Sequence, residues 1–70
     1  MRKFNILDQI NGTTLENVAA CDIAERLGGA FVDPPAEVLE AIDELEGAVM
    51  RGWYSRDLET YLGITLDPVA

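Results

Sequence analysis

Apolar residues recur along this chain at steps of three and four, and they form two stripes. The first is Leu15, Val18, Ala19, Ile23 and Leu27, the spacing that lines one side of an α-helix. Thr13 with Glu16 three residues later matches a capping box, and Gly28 suits the left-handed turn that ends a helix. The pattern predicts a helix over 14–27. The second stripe is Val38, Ile42, Leu45 and Val49. It predicts the longest helix, over 34–51, with Asp33 as N-cap and Pro34 at the first helical position. Ser55 caps a short helix over 56–62, with Leu58, Tyr61 and Leu62 inward and Gly63 closing it.

The remaining segments are less regular. Residues 2–10 fit a helix through Phe4, Leu7 and Ile10 or a strand through Phe4 and Ile6. The Asn11-Gly12 turn, which also serves as a helix C-cap, tilts the reading to helix. Ala30-Phe31-Val32 is extended before the prolines, and Ile64-Thr65-Leu66 reads as an extended tail packed on the core. The expectation is an all-α fold: one small domain over 1–70, built as a bundle of three to four short helices. The alternative is α+β, with residues 3–7 pairing with residues 63–66.

Composition sharpens this picture. At 70 residues and 49% hydrophobic, the chain favours a folded domain over disorder, but a core of that size is marginal. A lone Cys21 excludes an intrachain disulfide, and the lack of histidine excludes the common zinc sites. Packing and self-association remain as supports, so a homodimer is one expected state. The net charge of −8 disfavours direct contact with nucleic acid or an anionic membrane surface. No stretch approaches the apolar length of a membrane span. Met1-Arg2-Lys3-Phe4 starts like a signal peptide, but Asn5 and Asp8 fall where its apolar core should run. A single thiol and no signal peptide point to the cytoplasm.

Catalysis finds little to work with. There is no histidine for acid–base chemistry or to activate Ser55 or Cys21, and Cys21 reads as a small core residue beside Ala19, Ala20 and Ile23. The chain reads as non-enzymatic. Glu40, Asp43 and Glu44 fall within about one helical turn, yet the calcium-loop pattern is missing, and no metal or cofactor is expected. Asp22-Ile23-Ala24-Glu25-Arg26-Leu27-Gly28 resembles the first helix and turn of a helix-turn-helix motif. Phe31-Val32-Asp33-Pro34-Pro35 then stretches the turn, and the helix that would enter the major groove is acidic.

That acidic helix is the most distinctive feature. Between Arg26 and Arg51 the chain has no basic residue, yet it carries Asp33, Glu37, Glu40, Asp43, Glu44 and Glu46. Spread over about 21 Å of helix, these charges fall about 3.5 Å apart, close to the phosphate spacing of one DNA strand. Exposed helices usually mix both signs. The run therefore suggests a phosphate-mimicking edge, set against the plainer reading of a solvated outer face. Leu39, Met50, Trp53 and Tyr54, with Arg51 and Arg56 nearby, are the side-chain types enriched at interface hot spots. The simplest place for Trp53 is the small core. The alternative is a contact patch of Leu39, Met50, Trp53 and Tyr54 for a second copy or a target, and one ring can pack inward while its neighbour faces out.

The sequence thus predicts a non-enzymatic acidic protein-binding module. Glu37, Glu40, Asp43 and Glu44 would supply charge, and Leu39, Met50, Trp53 and Tyr54 the anchors. It would act as a stoichiometric inhibitor, occluding the basic surface of a nucleic-acid-handling protein. Small acidic inhibitors of this kind typify phages and mobile elements, where they block restriction, CRISPR or transcription machinery. The alternative is a homodimeric helical structural or regulatory module, such as an antitoxin-like partner.

Overall fold

Phe4, Ile6 and Asp8 are buried, while Lys3, Asn5 and Leu7 turn to the other side. This is the two-residue alternation of a strand packed on one face only. In the computed structural model, which describes residues 2–69, that stretch is strand β1 (Lys3–Asp8). There follow β2 (Thr13–Ala19), a 3₁₀ turn (Ala20–Asp22), α1 (Ile23–Ala30), α2 (Ala36–Met50), α3 (Arg56–Leu62) and β3 (Ile64–Pro68).

The strands form one three-stranded antiparallel sheet in the order β2-β1-β3. The fold is therefore α+β, and the all-α bundle is overturned. The alternative strand pair is the one adopted, in a register running from Phe4 opposite Pro68 to Asp8 opposite Ile64. Phe4, Ile6, Val18, Ile64 and Leu66 on the inner sheet face share a single buried cluster with Ile23, Leu27, Ile42, Leu45, Val49 and Leu62 of the helices. The other face, with Lys3, Leu7 and Thr14, is exposed.

One expected helix is a strand, and another is a strand over its first half. Residues 2–10 supply β1, and the expected helix over 14–27 is split into β2, the 3₁₀ turn and α1. The cause lies in the pairing. Phe4 faces Val18 while Ile6 faces Leu15, so β2 spends three residues where β1 spends two. The extra residue is a bulge, absorbed near Asn17, whose φ is 54° and whose N–H donates to Asn5 Oδ1 at 3.1 Å. A bulged strand puts successive inward residues three apart, the same step that a helix uses. Leu15 and Val18 therefore imitate a helical stripe, and only Ile23 and Leu27 belong to a real one. Thr13 and Glu16 lie in the strand and form no capping box. Gly28 lies inside α1, and Cys21 is exposed rather than part of the core.

The C-terminal half follows its local signals. α2 begins at Ala36 with Pro35 as N-cap. Asp33 is not the cap but a corner residue at φ 45°. α2 ends in a Schellman arrangement. Gly52 takes φ 85° and donates to Val49 O at 2.9 Å, and the Trp53 N–H donates to Ala48 O at 2.8 Å. In α3, Ser55 Oγ accepts from the Leu58 N–H at 3.3 Å. Gly63 is favoured by its backbone, and the Ile10 side chain lies directly over it. Its φ is 68°, and a Cβ there would lie 2.6 Å from Ile10 Cδ1. Ile10 stands at the tip of the β1–β2 hairpin, so this glycine seats the tip against the α3–β3 corner. The Gln9 N–H fixes the same junction by donating to Gly63 O at 2.9 Å.

Candidate protein-binding surface

α2 buries Ala41, Ile42, Leu45, Ala48 and Val49. Glu37, Glu40, Asp43 and Glu44 are all exposed on its outer side. At 100° per residue, Glu37, Glu40 and Glu44 fall within about 60°, while Asp43 falls with Leu39 and Met50 in a second strip about 40° wide. The outer face is thus an acidic strip beside an apolar strip that carries one acid. None of the four carboxylates takes part in a hydrogen bond or ion pair with the described residues. The array is shorter than expected. Asp33 has left the helix, and Glu46 has turned to the flank, where its Oε1 accepts from the Ala24 N–H of α1 at 3.0 Å. What remains, Glu37 to Glu44, covers about 10 Å of helix axis at a mean step of about 3.5 Å.

A cation bounds the strip at its C-terminal end. Arg51 folds back along α2, with its guanidinium nitrogen 3.6 Å from where a Cβ on Gly47 would sit. The contact is an ordinary van der Waals one. Arg51 also places positive charge at the negative end of the helix dipole.

The four anchor candidates are not equivalent. Leu39 and Met50 are half-exposed on the apolar strip. Trp53 is 69% exposed, held just beyond the helix by the Schellman turn, and does not complete the core. Tyr54 is committed within the chain. The Arg2 guanidinium donates to its hydroxyl and lies 5.3 Å from its ring centroid and 5.4 Å from that of Phe4. The Phe4 and Tyr54 rings meet edge to face at 6.1 Å. The structure therefore aligns Leu39, Asp43 and Met50 along one strip of α2, sets Glu37, Glu40 and Glu44 on the strip beside it, and leaves Tyr54 engaged with Arg2 and Phe4.

No protein family matches this sequence, and no curated protein or solved structure matches it significantly. The site therefore has to be read from its own chemistry. Among the described residues no group of three His, Cys, Asp or Glu side chains is gathered to hold a metal ion. No described helix is long and apolar enough to cross a membrane.

Other carboxylates serve the fold. Asp8 is buried at the hairpin turn, and burial alone would raise its pKa. Three hydrogen bonds outweigh that: from the Asn11 side chain at 2.9 Å, the Asn11 N–H at 3.1 Å and the Ile10 N–H at 3.0 Å. They hold the Asp8 carboxyl below the usual aspartate range. Glu59 Oε1 accepts from the Leu66 N–H of β3 at 2.9 Å. Sequence reasoning missed these roles: the Asp8 contacts are a local turn motif that went unread, while Glu59 depends on a β3 donor that only the fold brings to it. It also missed that the apolar residues Ile10, Val32 and Tyr61 are exposed: Ile10 reads as part of a helical stripe with Phe4 and Leu7, Tyr61 is expected to face inward, and Val32 belongs to no stripe.

Proposed function

We propose that this chain is a non-enzymatic protein-binding module that acts by stoichiometric occlusion. The outer face of α2 engages a basic surface on a larger nucleic-acid-handling partner and blocks access to it. The observation that carries this reading is the set of four outward carboxylates that no group in the described chain neutralises. Like charges at i and i+4, as in Glu40 and Glu44, cost a folded helix a few tenths of a kcal/mol. A complementary surface would turn that cost into attraction. Charge would speed encounter and set the register, while Leu39, Met50 and Trp53 would supply the desolvated contacts that hold the complex. A nucleic-acid-handling partner places the work in the cytoplasm, and the anti-defence inhibitors of phages and mobile elements are the class this mode of action resembles.

The test is capture from lysate at low and moderate salt, with wild type and a Glu40→Lys/Glu44→Lys double variant compared side by side. The expected partner is held at low salt, weakened at moderate salt and lost by the double variant. Its nucleic-acid binding should be competed by the wild-type chain. Normal capture and competition by the charge-reversed protein would refute the reading.

A second reading, self-association, is favoured by the number of large apolar side chains left exposed. It would be a sheet-bearing dimer rather than the helical one expected from sequence. Light scattering at two salt concentrations separates the two, since an apolar dimer hardly responds to salt.

A further inference from the structure

We infer that the partner presents a bulky apolar side chain among its basic residues, and that this chain receives it in a groove at the N-terminal end of α2. The inference rests on the reading of α2 above and specifies the chemistry of the same partner. The groove has a volume of about 240 Å³, and every lining residue is apolar or aromatic, among them Ile10, Phe31, Val32, Pro35, Val38 and Tyr61. Val32 is 91% exposed and Ile10 74% exposed, large values for aliphatic side chains in a chain that buries most of its others.

Two sides of the groove are held before anything binds. Pro34 and Pro35 fix one side. The missing Cβ of Gly63 lets Ile10 lie against the α3–β3 corner, and the Gln9–Gly63 hydrogen bond pins the hairpin tip there. A preformed groove saves the ordering cost that a loose apolar surface would incur on binding.

Charge decides the occupant. Asp33 lies between Val32 and Pro34, Glu37 immediately precedes Val38, and Asp57 stands one turn before Tyr61 on the same side of α3. All three are exposed. No described basic residue lines the groove; the nearest in sequence, Arg26 and Arg56, line separate cavities, Arg26 beside Leu15 and Gly29 and Arg56 beside Gln9 and Thr60. A second copy of this chain would bring the same acids to the same rim and set like charges face to face. A segment of lysines or arginines around one large apolar residue fits both the rim and the floor. It would continue directly onto Glu40 and Glu44.

The experiment uses the full isotopically labelled chain and two synthetic helical peptides with the same number of lysines. One carries leucines on its apolar face, and the other carries serines at those positions. The leucine peptide is expected to shift the amide signals of Ile10, Val32 and Tyr61 together with those of Glu37 to Glu44. The serine peptide should shift only the latter. Val32→Ser, at a position too exposed to affect folding, should weaken the leucine peptide by about tenfold and leave the serine peptide unchanged. Equal binding of both peptides, with Val32→Ser silent, overturns the groove inference and leaves the α2 reading standing. Groove signals that move while Glu37 to Glu44 stay still sink the α2 reading and the basic partner with it. Binding of neither peptide overturns both. If the free chain self-associates and Val32→Ser abolishes that, the groove is a self-contact and the inference fails.

Discussion

Glu44, Leu45 and Glu46 are consecutive on α2 and meet three different surroundings. Glu44 faces solvent, Leu45 is fully buried, and Glu46 lies on the flank with its carboxylate on the Ala24 N–H of α1. The contrast between the two glutamates is the instructive one. Glu46 belongs with Asp8 and Glu59: each of these carboxylates accepts hydrogen from a backbone N–H, for Asp8 in the turn after β1, for Glu46 in the first turn of α1 and for Glu59 in the middle of β3. Glu37, Glu40, Asp43 and Glu44 have no such donor in the described chain. Acidity in this protein therefore has two uses, one spent joining elements and one left outward. Composition alone, at −8 net charge, does not separate them.

The largest expected effect comes from the residue between the two. Leu45→Ala should cost about 2–5 kcal/mol, enough to unfold much of so small a domain, as measured by urea denaturation. A loss under about 1 kcal/mol would show that α2 is not pinned by its inner face. The outer acids would then have no fixed display.

Asp8→Ala comes next, at about 1–3 kcal/mol for stranding the turn donors at neutral pH. Its pH dependence has a definite sign. The hydrogen bonds hold the folded-state pKa of Asp8 below its unfolded value. The stabilisation is therefore complete above the unfolded pKa of about 3.9 and is lost as pH falls through the lower folded value. The gap between wild type and Asp8→Ala in denaturant midpoint should narrow under acid. A gap independent of pH would mean that the carboxylate is not what joins the turn.

Glu46→Ala should cost about 0.5–2 kcal/mol, the range for losing a side-chain cap on a helix N-terminus. Glu44→Ala, two residues away, should stay within about 0.5 kcal/mol of wild type. Equal effects in thermal unfolding would erase the distinction between acids used by the fold and acids left outward.

The same contrast explains what the sequence made legible. α2 and α3 could be read because their information is local: a buried stripe at helical spacing, Ser55 at one end of α3 and a left-handed Gly63 at the other. β1 could not be settled, because of its two partners β3 lies some sixty residues away and β2 is disguised by its bulge, and alternation over so few residues also fits a loose helix. β2 was misread for a definite reason, the bulge near Asn17 that spaces Leu15 and Val18 like helix neighbours. In the candidate surface, the outward acids were legible because burial follows helical phase. Glu46 was not, because its donor comes from α1, twenty-two residues earlier. Tyr54 read as an anchor because nothing local announces that Arg2 stacks on it.

The smallest stability change carries the most about function. Glu44→Lys converts the repulsive Glu40–Glu44 pair into an attractive one, with the acid N-terminal to the base, the better orientation for i,i+4 partners. Folding should gain about 0.3–0.5 kcal/mol, and the gain should fade as salt is added. If these acids only keep the surface wet, the variant is a better protein in every assay. If they face a basic partner, it folds better and binds worse. An exchange of stability against binding at one exposed residue separates a recognition surface from a solvated one. Paired measurements of unfolding midpoint and partner affinity, across the same salt series, decide between them.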